Sequence, residues 1–258
     1  MRYSVAMGRR EAQEYVERTY RQRLRADDLV AFEVRIEQTD LYILAERDLT
    51  GEATRSAQTA RRTIEAWIEQ NPDFLTSLVP LPCPADAPRI IREMCAAGRA
   101  AGVGPMAAVA GAIAERVARD LAPLSPNVIV ENGGDAFLMG DRDRTVSIFA
   151  GRSPLSHRIG LVIPAATQPV SVCTSSGTVG PSLSFGKADA AVIVAENAAL
   201  ADTVATGTAN RIKQPGDIAA AVEWAAALKG ILHVVAVIGD QMAAWGEFGL
   251  VRLRPQGT

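Results

Sequence analysis

The stretch that decides the fold covers residues 171–211 and reads S-V-C-T-S-S-G-T-V-G-P-S-L-S-F-G-K-A-D-A-A-V-I-V-A-E-N-A-A-L-A-D-T-V-A-T-G-T-A-N-R. It contains an apolar strand, a Ser/Thr/Gly loop, a second apolar strand and an alanine-rich helix, in that order. On the helix, Asp202 and Thr206 lie four residues apart and therefore share a face. A carboxylate and a hydroxyl beside a loop with free backbone N–H groups can bind a hard cation and a phosphate. The stretch therefore predicts a cation and anion site carried by strands and a helix.

The composition of the whole chain excludes several classes of protein. The 258 residues are 48% hydrophobic, which is enough for a sizeable core, and the net charge is only −2. So small a net charge gives no field that would attract nucleic acid or anionic lipid. The first residues contain no signal-peptide run, and no later apolar run is long enough to span a bilayer. We therefore expect a cytoplasmic protein that binds neither nucleic acid nor membrane.

Cysteines and histidines give only weak signals of chemistry. Cys83, Cys95 and Cys173 show no Cys-x-x-Cys spacing, so neither a disulfide framework nor a zinc site is predicted. Cys173 lies beside the Thr-Ser-Ser loop and is a candidate nucleophile, although the apolar context favours a small buried side chain. The two histidines, His157 and His233, have no partner at metal-ligand spacing, and the apolar run around His233 predicts a satisfied core histidine. No spacing typical of a hydrolase triad is present.

Hydrophobic periodicity predicts the order of the elements along the chain. Residues 1–28 carry mixed charges around few apolar positions and indicate a solvated arm or a leading strand. Alternation from residue 29 predicts a β-hairpin broken at residues 38–40. The later patterns predict helices over 54–70, 89–100 and from Pro105, at least three strands over 127–151, the strand, strand and helix of the quoted stretch, a helix near 217–228, and closing strands from Ile231.

Three glycine-containing segments are candidate ligand loops, and each has a structural alternative. Residues 131–135, E-N-G-G-D, join two strands; such a turn is ordinary in hairpins, but its amides and Asp135 could also approach a ligand. The amide of Gly104, just before a helix N-terminus, could bind an anion, or the small residues over 107–114 could simply let another backbone approach. Residues 174–177 are either a plain turn or an anion nest.

Two partial motifs fail their structural requirements. Residues 102–107 match Gly-x-Gly-x-x-Ala, but the segment before them predicts a helix where the dinucleotide fingerprint requires a strand. Residues 180–188 resemble a P-loop, but five residues separate the glycines instead of four. Ala188 also replaces the Ser or Thr that would hold magnesium. Neither nucleotide-binding motif is therefore predicted.

The chain resembles the ApbE superfamily, whose best-known members are magnesium-dependent FAD:protein FMN transferases. Four segments carry the resemblance in the expected order: the helix from Ala110, E-N-G-G-D from Glu131, T-S-S-G from Thr174 and A-D-T-V-A-T from Ala201. Over most of its length the chain also looks like an uncharacterised sister family of ApbE. The resemblance implies one ApbE-like domain over residues 1–258, of the α/β (α+β) class and with a T-fold-like architecture. Two related sheet-and-helix halves would enclose a central cleft.

The resemblance also implies a site. Asp202 and Thr206 would ligate Mg²⁺, together with a backbone carbonyl near Ala108 or Val109. The cofactor would be FAD or another flavin nucleotide. The residues expected to line the nucleotide are Asn132, Gly133, Gly134, Asp135, Thr174, Ser175, Ser176 and Gly177, and the Gly104 amide is added to them as an anion-binding group.

Two departures from the transferases leave the function open. Their His-x-x-Asp-Pro-x-Thr-Gly segment has no match, since Gly186-Lys187-Ala188-Asp189 stands in its place, and Ala110 replaces the lysine before the helix glycine. The first hypothesis is a magnesium-dependent enzyme that transfers a flavin nucleotide to a hydroxyl of an acceptor protein, with Asp135 or Asp189 as the candidate base. The second is a flavin-binding protein without turnover. The third is a structural homo-oligomer that pairs sheet edges.

Overall fold

The computed structural model describes residue 21, residues 26–178 and residues 185–254. The predicted arm over 1–28 therefore lies outside the described residues, apart from Arg21 and residues 26–28. The helices are α1 (Thr50–Gln70), α2 (Asp73–Thr76), α3 (Arg89–Ala101), α4 (Val109–Leu121), α5 (Ala198–Arg211) and α6 (Ile218–Ala226). The strands are β1 (Val30–Ile36), β2 (Thr39–Ala45), β3 (Val128–Asn132), β4 (Asp135–Met139), β5 (Arg144–Ser147), β6 (Ile159–Ile163), β7 (Val170–Ser175), β8 (Ala190–Ala195), β9 (Ile231–Ile238), β10 (Gln241–Gly246) and β11 (Leu250–Arg252).

The main sheet has eight antiparallel strands in the order β1-β2-β3-β4-β7-β8-β9-β10. In each half, two hairpins flank a group of helices: β1-β2 and β3-β4 flank α1 to α4, and β7-β8 and β9-β10 flank α5 and α6. The halves join where β4 pairs with β7, with Ala136 opposite Val172. The predicted α/β class with two related sheet-and-helix halves is confirmed.

Three apolar clusters form the core, and they show which side chains of each strand face the helices and which face away from them. On one face, Val130 and Phe137 pack beneath α1, α3 and α4, and Ile193 packs beneath α5 and α6. On the other face, Val172 packs with Leu161 of a second sheet, ordered β11-β6-β5. Since side chains alternate along a strand, residues next to these apolar positions face the opposite way.

Helices α4 and α5 cross above the junction of β4 and β7, and small residues make this close crossing feasible. A Cβ added to Gly111 would lie only 2.6 Å from the carbonyl oxygen of Ala198. That distance is shorter than van der Waals contact allows, so only glycine fits at this position. The packing alternative for the small residues over 107–114 therefore accounts for Gly111.

Element boundaries differ from the predictions mainly in three places. The helix predicted from Pro105 begins with a 3-10 turn over Pro105–Ala108, and α4 follows from Val109. Helix α1 begins at Thr50, four residues before its expected start. The first hairpin turns at Glu37 and Gln38, and Thr39 already belongs to β2 opposite Ile36. Glu37 takes a positive φ of 51°, a local conformation that alternation of polarity does not reveal. Across the described residues, no helix has both the length and the apolarity needed to cross a bilayer.

Candidate functional site

Asp202 lies in the second turn of α5 and points to the crossing with α4. The residue is 9% exposed, and its Oδ2 accepts the backbone N–H of Gly111 at 2.9 Å. Burial raises the pKa of this carboxyl to about 7, while the backbone N–H groups of Gly111 and Ala110 act in the opposite direction. Within the part of the chain that is described, no lysine, arginine or histidine forms an ion pair with Asp202.

Asp135 opens β4 on the face of the sheet that carries the helices. Its Oδ1 accepts the backbone N–H of Thr174 at 3.2 Å, across the β4–β7 junction. Burial raises the pKa of Asp135 well above its usual range, and the negative charge of Asp202 raises it further. The structure therefore brings together two of the sequence-predicted site residues, 67 positions apart, as a pair of interacting buried carboxyls.

Thr206 lies one helical turn after Asp202 and is half-buried. Its hydroxyl makes no hydrogen bond with any described residue, in contrast to two other threonines of the same helix. Thr203 donates to the carbonyl of Ala199 at 2.9 Å, and Thr208 donates to that of Val204 at 2.7 Å. The Thr206 hydroxyl thus remains available to an external partner, on the helix face it shares with Asp202.

The E-N-G-G-D segment forms a two-residue hairpin turn. Gly133 and Gly134 have φ values of 70° and 105°, which is the conformation that favours glycine in such turns. The Gly134 N–H is already occupied, since it donates to Oε1 of Glu131 at 2.7 Å. Asn132 donates through Nδ2 to the carbonyl of Ala110 at 3.1 Å and so ties the turn to α4. Of the two glycine amides, Gly134 is therefore not free for a ligand, contrary to the expectation for the whole turn.

The T-S-S-G segment continues β7 into a loop, and its residues divide between the two faces of the sheet. Cys173 packs in the cluster under α5, so the alternation places Thr174 on the opposite face and Ser175 on the helix face. The Thr174 hydroxyl is thus turned away from Asp202, although its backbone contacts Asp135. Ser175 is buried, and its hydroxyl has no hydrogen-bond partner among the described residues. Gly134 lies against the Thr174 carbonyl, with a distance of 3.6 Å from the position of an added Cβ.

The end of this loop is closed by backbone contacts. The Gly177 N–H donates to the carbonyl of Ala188 at 2.9 Å, and Ser176 donates to the same carbonyl at 3.3 Å. A Cβ on Gly177 would lie 2.2 Å from the carbonyl oxygen of Gly186. Both ends of the segment between β7 and β8 therefore meet, and the Gly177 amide is used inside the protein. Of the P-loop-like segment 180–188, residues 180–184 lie outside the described residues.

Two further predicted residues have structural contacts of their own. Asp189 accepts the Gly239 N–H at 2.7 Å through Oδ2 and the Thr178 hydroxyl at 3.0 Å through Oδ1. Both oxygens thus hold neighbouring loops together. A Cβ on Gly104 would lie 1.8 Å from the carbonyl oxygen of Ser77, so this glycine is required by close packing. Neither residue is hydrogen-bonded to Asp135 or Asp202.

The thiol and imidazole groups do not add chemistry to the site. Cys173 is fully buried, and burial raises the pKa of its thiol well above the usual range, which argues against the nucleophile hypothesis. The Nδ1 atom of His157 and the Ser147 hydroxyl form a hydrogen bond of 3.1 Å. His233 lies in the core as predicted, but it is only half satisfied. Its Nδ1 accepts the Phe248 N–H at 3.3 Å, whereas Nε2 has no partner in the described part of the chain.

Two glutamates near the site carried no predicted role. Glu131 binds the Gly134 amide, and Glu115 accepts the N-terminal amide of α5, the Ala198 N–H, at 2.7 Å. A signal for Glu131 was available, because it is a lone carboxylate in the apolar strand V-I-V-E-N. The signal for Glu115 was its place four residues after Gly111, directly after the small and apolar first half of α4.

The donor atoms at the junction are oxygens and suit a hard cation. Asp202, Asp135 and Thr206 offer carboxylate and hydroxyl oxygens, whereas no cluster of three or more His, Cys, Asp or Glu side chains occurs among the residues described. An all-protein cage for a metal is therefore not present there. Mg²⁺ commonly uses one or two carboxylates, retains waters and takes phosphate oxygens from a ligand, so the residues fit this ion.

Comparison with known proteins places the chain in a family. The family model described as AbpE bacteria matches residues 21–238. A UPF0280 protein of Methanocella arvoryzae is 40% identical over 213 residues, covering 82% of this chain and 86% of the relative. A UPF0280 protein of Methanosphaerula palustris is 40% identical over 215 residues, covering 81% and 88%.

Solved structures share the fold at low sequence identity. A mutant of the flavin transferase ApbE from Vibrio cholerae superposes with a TM-score of 0.52 at 13% identity, covering 84% of this chain and 96% of that protein. The apo form of the Pseudomonas stutzeri flavinyl transferase ApbE gives a TM-score of 0.50 at 12% identity, with coverage of 86% and 95%. At these identities the likeness concerns the fold alone.

Proposed function

The chain belongs to the AbpE bacteria family, and from this premise we propose that it binds a flavin nucleotide together with Mg²⁺ at the junction of its two halves. The proposal covers the whole chain, residues 1–258, as one ApbE-like domain, and it includes a cytoplasmic location. Transfer of the FMN part of FAD to a hydroxyl of an acceptor protein is the reaction we propose for this site.

One observation carries the proposal. Asp135 and Asp202 are buried carboxyls that interact unfavourably, and no cationic side chain of the described ranges pairs with either. Two buried carboxylates without a counter-charge are costly, so such a pair is stabilised by a shared proton or by a bound cation. The hydroxyl of Thr206 lies one turn from Asp202 and has no hydrogen bond to any described residue. It supports the cation, since a shared proton would give this hydroxyl no function.

Individual residues have distinct roles in the proposed site. Asp202 and Thr206 would hold the ion, and the Gly111 N–H fixes the orientation of the Asp202 carboxylate through Oδ2. The metal would neutralise negative charge on the pyrophosphate. Ser175, whose hydroxyl has no partner among the described residues, is a candidate donor to the phosphates. Asp135, whose raised pKa favours proton uptake, is the better-placed candidate base of the two predicted ones.

A second candidate function is flavin binding without turnover. The absence of the His-x-x-Asp-Pro-x-Thr-Gly segment favours it, as does Asp189, whose two oxygens are engaged with Gly239 and Thr178. Transfer would break a P–O bond of the FAD pyrophosphate, place FMN on the acceptor hydroxyl oxygen and release AMP. Release of AMP therefore separates the two functions.

The test is a titration of the pure protein with FAD, with and without Mg²⁺, followed by mass analysis for AMP in the presence of candidate acceptor proteins. We expect Mg²⁺-dependent binding that is weakened at least about ten-fold by Thr206→Ala, which is about 1.4 kcal/mol. Thr208→Ala is the matched control, because its hydroxyl is bonded to its own helix. Binding without AMP release would support the second function, and absence of FAD binding would refute both.

A further inference from the structure

Arg21 is a buried arginine whose guanidinium is held by two neighbouring strands. Its side chain is 6% exposed, and its Nε donates to Oε2 of Glu131 on β3 at 2.7 Å. The two terminal nitrogens donate to Asp40 on β2, one to Oδ1 at 2.8 Å and the other to the backbone carbonyl at 2.6 Å. The guanidinium also lies 5.8 Å from the centre of the Tyr42 ring. Because Glu131 and Tyr42 are cross-strand partners, the arginine clamps β2 to β3 at this point.

Glu131 transmits this contact to the glycine turn. One carboxylate oxygen, Oε2, accepts from Arg21, and the other, Oε1, accepts the Gly134 N–H at 2.7 Å. The side chain is almost fully buried, with an exposed fraction of 4%. A charged, buried acceptor makes a short and strong hydrogen bond to an amide, and the paired guanidinium holds the carboxylate in place.

The position of Gly134 matters for the rest of the junction. Gly134 packs on the Thr174 carbonyl, and the next residue, Asp135, accepts the Thr174 N–H. A displacement of the turn would therefore move Asp135 relative to Asp202 and change the spacing between the E-N-G-G-D turn and the T-S-S-G loop.

We propose that Arg21 is a positioning residue that holds the Gly133–Gly134 turn through Glu131 and so sets Asp135 in the candidate site. Arg21 acts through Glu131, to which its Nε donates. Its effect on nucleotide binding rests on the proposed function, whereas the chain of contacts from Arg21 through Glu131 to the Gly134 amide does not.

The test compares Arg21→Met with the matched control Arg144→Met. Arg144 is also a largely buried arginine, and it pairs with Asp28 through two hydrogen bonds of 2.7 and 2.9 Å away from the glycine turn. Hydrogen exchange of the Gly134 amide is measured by NMR under conditions in which both variants are folded. We expect exchange at Gly134 to be at least about ten-fold faster in Arg21→Met than in the control, since a ten-fold change reflects about 1.4 kcal/mol. Equal exchange in the two variants would overturn the proposal.

Further arms keep the result decisive. If Arg21→Met does not fold, Glu131→Gln keeps the size and an acceptor oxygen but removes the charge, and unchanged Gly134 exchange in it would also overturn the proposal. FAD affinity in excess Mg²⁺ should fall about ten-fold in Arg21→Met and stay within about two-fold of wild type in Arg144→Met. If wild type binds no FAD, the proposed function fails, while the exchange result still decides the role of Arg21. Fast exchange with unchanged FAD affinity would refute the link to the site.

Discussion

The backbone N–H of Gly111 donates a 2.9 Å hydrogen bond to the carboxylate of Asp202, across the crossing of α4 and α5. The contact is reciprocated four residues further along α4, where Glu115 accepts the Ala198 N–H at 2.7 Å. Each helix thus supplies a carboxylate to an amide near the N-terminus of the other, where the positive end of the helix dipole favours negative charge. Asp202 therefore has a structural role at the crossing in addition to its proposed role in holding the ion.

The first prediction concerns the fit at this crossing. Gly111→Ala would place a Cβ 2.6 Å from the Ala198 carbonyl oxygen, so the helices must separate, and we expect a loss of about 1–3 kcal/mol in the free energy of unfolding. Urea denaturation gives the value. Gly51→Ala in the exposed first turn of α1 is the control, because the added Cβ meets only the end of Arg55 at 3.5 Å. That variant should gain stability, by about 0.5–1 kcal/mol. A Gly111→Ala protein as stable as wild type would contradict the tight crossing.

The elements were predictable from the sequence because they depend on local periodicity, whereas the contacts that make the site were not. The strand, loop, strand and helix of residues 171–211 follow from alternation and from alanine content. The hydrogen-bond partner of Asp202 is a backbone amide 91 positions away in the sequence. The Gly134 amide donates to Glu131, which in turn pairs with Arg21, 110 positions from Glu131. Only tertiary packing specifies such pairs. The sheet face on which the Thr174 side chain lies could have been predicted. Because side chains alternate along a strand, Cys173 and Ser175 share one face and Thr174 lies on the other.

The second prediction concerns pH and metal. Burial raises the pKa of Asp202 from 3.8 to about 7, so the folded protein binds more protons than the unfolded chain between these values. Without metal, this carboxyl therefore contributes stability below pH 3.8 that is lost as the pH rises towards 7. We expect the melting temperature of wild type, measured against Asp202→Asn, to fall across that range. Added Mg²⁺ should stabilise wild type increasingly as pH rises, since it competes with the proton. A Mg²⁺ effect that is equal in Asp202→Asn would contradict the assignment.

The third prediction uses the half-satisfied core histidine. Burial lowers the pKa of His233 from 6.5, so below that pH the unfolded chain takes up a proton that the folded protein excludes. Stability is therefore lost as the pH falls through 6.5, by up to about 1.4 kcal/mol per pH unit. His233→Leu removes this titration together with the Nε2 atom, which has no partner among the described residues. Thermal melts between pH 7.5 and 5 should show a smaller decline in the variant than in wild type. Parallel declines would mean that His233 is protonated in the folded state.

The fourth prediction separates the two acids that the sequence proposed as bases. Asp189 holds Gly239 and Thr178 through both oxygens, so Asp189→Asn should cost about 1 kcal/mol of stability and leave Mg²⁺-dependent FAD affinity within about three-fold of wild type. Asp135 is buried beside Asp202, and Asp135→Asn removes the repulsion between them while keeping an oxygen for the Thr174 N–H. That variant should be as stable as wild type or more stable without metal, because a buried unpaired charge is gone, and yet lose AMP release. Calorimetry with FAD and mass analysis for AMP give both values. Loss of AMP release in Asp189→Asn with normal release in Asp135→Asn would reverse the assignment of the base.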